Sequence, residues 1–259
     1  MKTLTVITVT YNAGKELERT IQSVISQTYF PDIEYIIIDG NSTDDTVAII
    51  KKYESKLSSW LSEPDKGIYD AMNKGIKMAK GRWVNFMNAG DIFTSKIIVE
   101  DIFKENIEKF DVVYGNYILV YERFRKNMHT PKDLSGFYDY MLMNHQSVFM
   151  KQSLALSHLY DLSYKIACDY EQLLCFYHSG KKFHHVDKFI AEFAYGGLST
   201  TGKLVYFDEQ MSIIKKYKPD ADISNFRHKI RKEKLISVLR NLLPNAIFEK
   251  LIQLKNRFM

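Results

Sequence analysis

Residues 4–87 switch repeatedly between two patterns, and this alternation restricts the fold more than any other feature. Leu4–Thr10 (LTVITVT) is rich in β-branched residues and reads as a buried strand. Leu17, Ile21, Val24 and Ile25 then recur at helical spacing. Tyr35–Ile38 is a second buried strand, ending in Asp39-Gly40. Ser42, with Asp45 three residues on, predicts a capping box that opens a helix carried by Val47, Ile49, Ile50 and Tyr53. Trp60–Ser62 is a short third strand. Ile68, Ala71, Met72, Gly75, Ile76 and Ala79 share one helix face, with Gly81 placed as its C′ glycine. Trp83–Met87 is a fourth strand. The order β-α-β-α-β-α-β with short connections calls for an α/β fold, a Rossmann-like parallel sheet with helices on both faces.

In such sheets ligands bind beyond the carboxyl ends of the strands. Thr10-Tyr11-Asn12, Asp39 and Asp91 each follow a predicted strand, so all should face one crevice. The last of them closes the stretch NFMNAGD, residues 85–91, which leaves one acid at a strand mouth. Asp91 either starts a turn or holds something charged, such as a metal ion.

The second half is less regular. Val112–Val120 reads as a strand with a Gly-Asn break, and His145–Phe149 as a loop running into a strand. Asp169–Ser179 reads as a helix closed by Gly180. Asp169 with Gln172 three residues on also fits a capping box. Ala191–Tyr195 is a strand, followed by a tight turn at Gly196-Gly197 that could equally belong to a lid over the site. His184-His185 lacks metal-ligand spacing and reads as surface or edge-strand histidine. From Arg227 the chain is basic, with Ile230, Leu235, Ile236, Leu239, Leu242 and Leu243 at helical intervals and Pro244 dividing two helices. A basic amphipathic helix of this kind suits an anionic membrane surface, or else packs on the domain and exposes its lysines.

A chain of 259 residues with 46% hydrophobic content can fill one large core, which excludes a disordered protein. We expect a domain over residues 1–205 and a helical region over 206–259. Net charge is a mild +5, from 36 basic and 31 acidic residues, and no nucleic-acid motif accompanies it. Cys168 and Cys175 read as reduced core thiols. The N-terminal apolar run is too short for a signal peptide, and no window reaches membrane-spanning length, which suggests a cytoplasmic protein.

A nucleotide is the natural ligand for the crevice. The dinucleotide fingerprint and the P-loop are both missing after the first strand. Thr10-Tyr11-Asn12-Ala13-Gly14 also lacks the glycine-rich, basic loop of a nucleotidyltransferase. Four segments, TVTYNAGKELERTIQSVISQ, IIIDGNSTDDT, DKGIYDAMNKGIKMAKG and FMNAGD, stand in an order and spacing that resembles the family 2 glycosyltransferases of GT-A fold. The acidic Cys168-Asp169-Tyr170-Glu171 before a helix extends the resemblance more weakly.

The resemblance implies an inverting transfer of sugar from a UDP- or GDP-sugar to an acceptor hydroxyl, on a glycan or lipid-linked acceptor of cell-surface polysaccharide synthesis. That setting would favour peripheral contact with the inner face of the plasma membrane through the basic helices. It places Thr10 and Asp39 at the nucleobase or ribose, Asp65 at a further nucleoside contact, and Tyr11 and Asn12 beside Thr10 at the donor. Asp91 falls in the segment equivalent to the D-x-D motif, which binds Mg²⁺ or Mn²⁺ and the diphosphate. Asp169 matches the catalytic base, with Glu171 as the nearby substitute, and His145-Gln146 recurs near the diphosphate or acceptor. The chain departs from the pattern at Asn88-Ala89-Gly90-Asp91, where only the last acid remains. Asn88 can still offer a carbonyl oxygen. That reduction leaves an alternative reading, a non-catalytic nucleotide-binding or partner subunit.

Overall fold

The computed structural model describes residues 2–196 and 202–242, with side chains as far as 234. The strands are β1 (Leu4–Thr10), β2 (Ile33–Asp39), β3 (Ser59–Ser62), β4 (Trp83–Phe86), β5 (Ile92–Phe93), β6 (Val112–Val120), β7 (Arg125–Met128), β8 (Val148–Lys151) and β9 (Phe183–Ala194). The helices are α1 (Gly14–Ile25), α2 (Thr46–Lys52), α3 (Ile68–Met78), α4 (Ile98–Phe103), α5 (Gln152–Ser157), α6 (Cys168–His178), α7 (Lys203–Tyr217) and α8 (Ser224–Leu242).

The described strands form one sheet in the order β3-β2-β1-β4-β8-β6-β9-β5, with β7 paired to β6. The first four run parallel. β8 then runs antiparallel between β4 and β6, and β9 is parallel to β6. Thr10 pairs with Asp39, and Asp39 with Ser62, so the carboxyl ends of three strands form one polar row.

β1, β2 and β4 are buried along their whole length because helices cover both faces. Successive residues alternate between two cores: Ile7, Ile36 and Val84 face α3 and α6, while Val6, Ile37 and Trp83 face α1 and α4. Leu17, Ile21 and Val24 of α1 are wholly buried. At about 1.5–3 kcal/mol for each such side chain, this stripe supplies most of what holds a three-turn helix.

Several expectations need correction. Ser42 and Asp45 form no capping box: Ser42 bonds the Asp39 carboxylate, and α2 opens with its Thr46 amide donating to Asp44 Oδ1 at 3.0 Å. Gly81 lies too far past α3 to be its C′ residue. It is there because a Cβ would come within 2.6 Å of the Thr5 amide nitrogen. Its own N–H donates to Thr5 Oγ1 and Glu34 Oε2. Gly180 does close α6 at a φ of +70°, with Lys181 N–H reaching the Phe176 carbonyl. β9 begins at Phe183, eight residues before the expected start at Ala191. Sequence alternation is masked there by His184, which stacks on Phe110, and His185, which bonds Thr130.

The expected division at 205/206 falls inside α7. Ile213 and Ile214 of that helix, and Phe226 of α8, enter the same core as α3 and α6. Ile230 of α8 is buried as well. Phe226 and Ile230, the buried apolar residues of α8 among those described, therefore face the protein. Pro244, the helix expected after it, Gly197 and the side chains of Leu235, Ile236, Leu239, Leu242 and Leu243 lie outside the described residues.

Candidate active site

The site begins with the turn after β4. Thr20 of α1 lies beneath it. The Thr20 hydroxyl donates to the Asp91 carbonyl at 2.8 Å and accepts from the Gly90 N–H at 2.9 Å. Gly90 takes a φ of +100°, and the Asp91 N–H closes the turn on the Asn88 carbonyl at 2.9 Å. Asn88 and Asp91 are thereby fixed side by side at the sheet edge, both buried.

Asp91 is a carboxylate with little compensation. Burial pushes its pKa up to about 6, against the opposing pull of His145 and of Gln146, whose Nε2 donates to Oδ2 at 3.2 Å. Asn88 Oδ1 is buried and has no hydrogen-bond partner. An under-compensated acid beside an unpartnered carbonyl oxygen makes a hard, oxygen-rich half-site that suits Mg²⁺ or Mn²⁺. Among the described residues no group of three His, Cys, Asp or Glu could hold a metal unaided. Substrate oxygens and water can complete a half-site of this kind.

Asp169 comes from the opposite side. It sits in the first turn of α6 but is not its cap: that position is Ala167, and Gln172 donates to the His158 carbonyl. Asp169 Oδ2 lies 3.1 Å from His145 Nδ1, and Oδ1 lies 3.2 Å from the Tyr69 hydroxyl. The Tyr69 hydroxyl also donates to the Ile166 carbonyl at 2.6 Å, and Asp169 Oδ1 accepts the Tyr170 N–H at 2.9 Å. His145 Nε2 is 3.0 Å from Asn88 Nδ2. An amide nitrogen can only donate, so Nε2 accepts and Nδ1 carries the proton that bonds Asp169.

Glu171 cannot stand in as a base. It is wholly buried, bonded by His158 Nε2 at 2.9 Å, Lys216 Nζ at 2.7 Å and the Tyr217 hydroxyl. Burial alone would raise its pKa, but these three donors outweigh it and hold the carboxyl at about 2. The contact ties α7 to α6. From the same helix, Glu209 accepts the N–H groups of Lys165, Ile166 and Ala167, fixing the loop ahead of Asp169. Cys168 is a free, buried thiol whose pKa burial pushes up, consistent with a core role.

Two adjoining cavities meet at Ile68, Asn88 and Ala89. The larger, about 450 Å³, is lined by Asp91, His145, Asp169, Tyr69, Tyr195 and Tyr206 among others. The smaller, about 310 Å³, is lined by Thr10, Tyr11, Asp65 and Gly67. Thr10 Oγ1 is buried and unpartnered, and Tyr11 is 63% exposed. Asp39 and Asn12 line neither cavity. Asp39 is buried, accepting from the Ser42 amide at 3.1 Å and the Ser62 hydroxyl at 2.6 Å. Asn12, at a φ of +48°, accepts from Thr43 N–H at 2.8 Å and donates its own N–H to Ser42 Oγ. These two brace the loop behind Thr10 and Tyr11. Sequence reasoning did not find Thr20 or Tyr206: a lone threonine on a helix, or a tyrosine far along the chain, carries no local signal.

The family model described as glycosyl transferase family 2 matches residues 5–158. This chain belongs to that family. An uncharacterized glycosyltransferase of Mycobacterium tuberculosis is 36% identical over 179 residues, 66% of this chain and 68% of the relative. The Escherichia coli UDP-Glc:α-D-GlcNAc-diphosphoundecaprenol β-1,3-glucosyltransferase WfaP is 35% identical over 120 residues, 46% of this chain and 47% of its own. Among solved structures, TarS residues 1–349 of S. aureus with UDP-GlcNAc superposes at a TM-score of 0.67 with 20% identity, covering 89% of this chain and 70% of that one. The mannosyltransferase PcManGT of Pyrobaculum calidifontis with GDP-Man and Mn²⁺ superposes at 0.65 with 13% identity, covering 98% and 79%. The fold of this family 2 glycosyltransferase is thus the GT-A arrangement. Among its described residues no helix is long and apolar enough to cross a membrane.

Proposed function

We propose that this glycosyltransferase moves a sugar from a nucleoside-diphosphate donor to an acceptor hydroxyl with inversion, in the synthesis of a cell-surface glycan. The observation that carries the reading is the placement of Asp91 and Asp169 in the wall of one cavity, bridged by His145 and Asn88. The nucleoside occupies the smaller cavity, with the Thr10 hydroxyl and Asp65 as polar contacts and Tyr11 against the base. Asp39 acts behind them by holding the 39–43 loop. The diphosphate passes Asn88 and Asp91 at the junction, and the sugar enters the larger cavity.

There Asp169 serves as the base. The carboxylate takes the acceptor hydroxyl proton as that oxygen bonds the anomeric carbon and the bond to the departing phosphate breaks. His145 Nδ1–H holds the carboxylate in orientation, and the enclosing side chains keep water from competing. Asp91 and Asn88 would hold a divalent ion, Mg²⁺ or Mn²⁺, which when bound neutralises the diphosphate leaving group. PcManGT was solved with Mn²⁺ and GDP-Man, TarS with UDP-GlcNAc, and WfaP acts on a lipid-linked acceptor by name, all of which support this reading.

The test is calorimetric titration of UDP and GDP, with and without Mn²⁺, into wild type and Asp91→Ala, together with transfer by Asp169→Asn. Metal-dependent binding lost in Asp91→Ala, with transfer lost in Asp169→Asn, supports the reading. Full transfer by both variants rejects it. Nucleotide binding with neither hydrolysis nor transfer on any donor would instead favour a non-catalytic subunit.

A further inference from the structure

The wall of the larger cavity continues outward beyond the catalytic residues. Leu119 of β6 and Phe193 of β9 are paired in register, and Tyr195 N–H donates to the Val120 carbonyl, so the two strands run on as a ribbon. Alternate residues face one side. Tyr117 stacks on Phe193 at 5.3 Å, Tyr121 on Tyr195 at 4.5 Å, and Tyr121 on Phe124 at 4.4 Å, each pair within 24° of parallel. The outermost rings are open to solvent: Phe124 is 57% and Tyr195 48% exposed. At the tip, Arg125 pairs with buried Glu192, while the exposed Arg123 and Lys126 have no acidic partner among the described residues. A ladder of exposed rings is costly to keep in water unless something covers it.

We infer that this ribbon is the acceptor subsite, binding a phosphate-bearing saccharide whose pyranose rings lie on Tyr195 and Phe124. The inference rests on the reading of the site as a glycosyltransferase centre. Three observations select this occupant. Tyr195 lines the same cavity as Asp169, so one ligand can place a hydroxyl at the base and extend along the ladder. The apolar C–H face of a pyranose matches a flat, electron-rich ring face. The uncompensated Arg123 and Lys126 call for an anion at the far end, where a sugar linked through diphosphate carries its charge. A lipid surface would also accept exposed rings and lysine, but it gives no reason for the ladder to run into the catalytic cavity.

The test uses the full chain carrying Tyr195→Trp, whose indole keeps the stacking face and reports on it by fluorescence. UDP with Mn²⁺ is titrated first, to establish the donor site. Octyl diphosphate esters of GlcNAc, glucose and galactose follow, beside neutral octyl glycosides of the same sugars. The expected result is a saturable change for at least one sugar, with the diphosphate ester bound about tenfold tighter than its neutral counterpart. That preference should vanish in Arg123→Ala/Lys126→Ala, and Phe124→Ala should weaken the response while the melting temperature stays unchanged. If UDP binds and no saccharide alters the fluorescence, the acceptor subsite is overturned while the donor site stands. A silent indole together with capture on phosphatidylglycerol vesicles, lost in Phe124→Ala, would overturn it in favour of a membrane surface. Failure of wild type to bind UDP or GDP would overturn the glycosyltransferase reading itself.

Discussion

The ring of His145 sets its Nδ1 3.1 Å from Oδ2 of Asp169, and the tautomer that makes this a hydrogen bond is imposed by Asn88 on the ring's other side. His145 is therefore a positioning residue for the base. Loss of a group that fixes a reacting carboxylate by even an ångström costs on the order of 10²-fold in rate. His145→Ala is expected to lower transfer kcat by about 10–100-fold while nucleotide affinity stays within about threefold. Steady-state kinetics beside UDP calorimetry check this. A rise in donor KM at unchanged kcat would place His145 at the donor instead.

Asp91 is expected to be a stability liability in the metal-free protein. Its folded pKa, about 6, lies above the unfolded value of 3.8, so the folded state binds more protons between them. Stability then falls as pH rises from about 4 to about 6 and stays reduced at neutral pH, by an upper limit of about 3 kcal/mol. Asp91→Asn should stabilise the metal-free protein at pH 7 by about 1–3 kcal/mol, a gain of several degrees in Tm. The same change should abolish any stabilisation by Mn²⁺ with UDP. Differential scanning fluorimetry with and without those ligands would show it, and an unchanged or lower Tm in the metal-free variant defeats the argument.

Glu171 works in the opposite direction. Its folded pKa, about 2, lies below the unfolded 4.5, so its contribution is complete above the unfolded value and is lost as pH falls toward 2. Glu171→Gln leaves the half-exposed Lys216 facing a neutral amide and replaces charge-assisted hydrogen bonds by weaker ones, and is expected to cost about 1–3 kcal/mol at pH 7. Urea unfolding between pH 3 and 7 should show wild type losing stability toward acid and the variant varying less. Equal pH dependence in the two proteins would mean that this contact does not tie α7 to α6.

How much of this could be read from the chain alone follows from the range of the interactions. β1 to β4 were legible because strand alternation and helix stripes are local patterns, and Thr10 and Asp91 stand out because they follow strands, whereas Asp65 was marked by the family resemblance alone. Asp39 and Asn12 also sit there, yet their side chains turn back to the 42–43 loop: Asp39 is bonded by Ser42 three residues on, and Asn12 by the Thr43 amide 31 residues on. The local pattern of Asp169 is that of a helix cap, and the family resemblance makes it the base. Only the approach of His145, 24 residues earlier in the chain, distinguishes the two. The role of α7 was hidden because Glu209, Lys216 and Tyr217 act across forty or more residues, and surface-like charges carry no periodic signature.

The departure at Asn88 leads to the last prediction. Asn88→Asp adds an acid to the Asp91 half-site and should tighten Mn²⁺ binding by about tenfold, since charge count governs affinity at oxygen sites. It also removes the amide that donates to His145 Nε2. An aspartate there accepts, so a ring that keeps a single proton must move it to Nε2, turning the bare Nδ1 lone pair toward the Asp169 carboxylate. The base then loses its hydrogen bond and its orientation, and transfer kcat should fall by about tenfold or more while metal affinity rises. Calorimetry of Mn²⁺ with UDP and steady-state rates on the same protein separate the two effects. If affinity and kcat rise together, the ring tautomer does not couple the two halves of the site. If they diverge as expected, asparagine at this position trades metal affinity for a correctly oriented base.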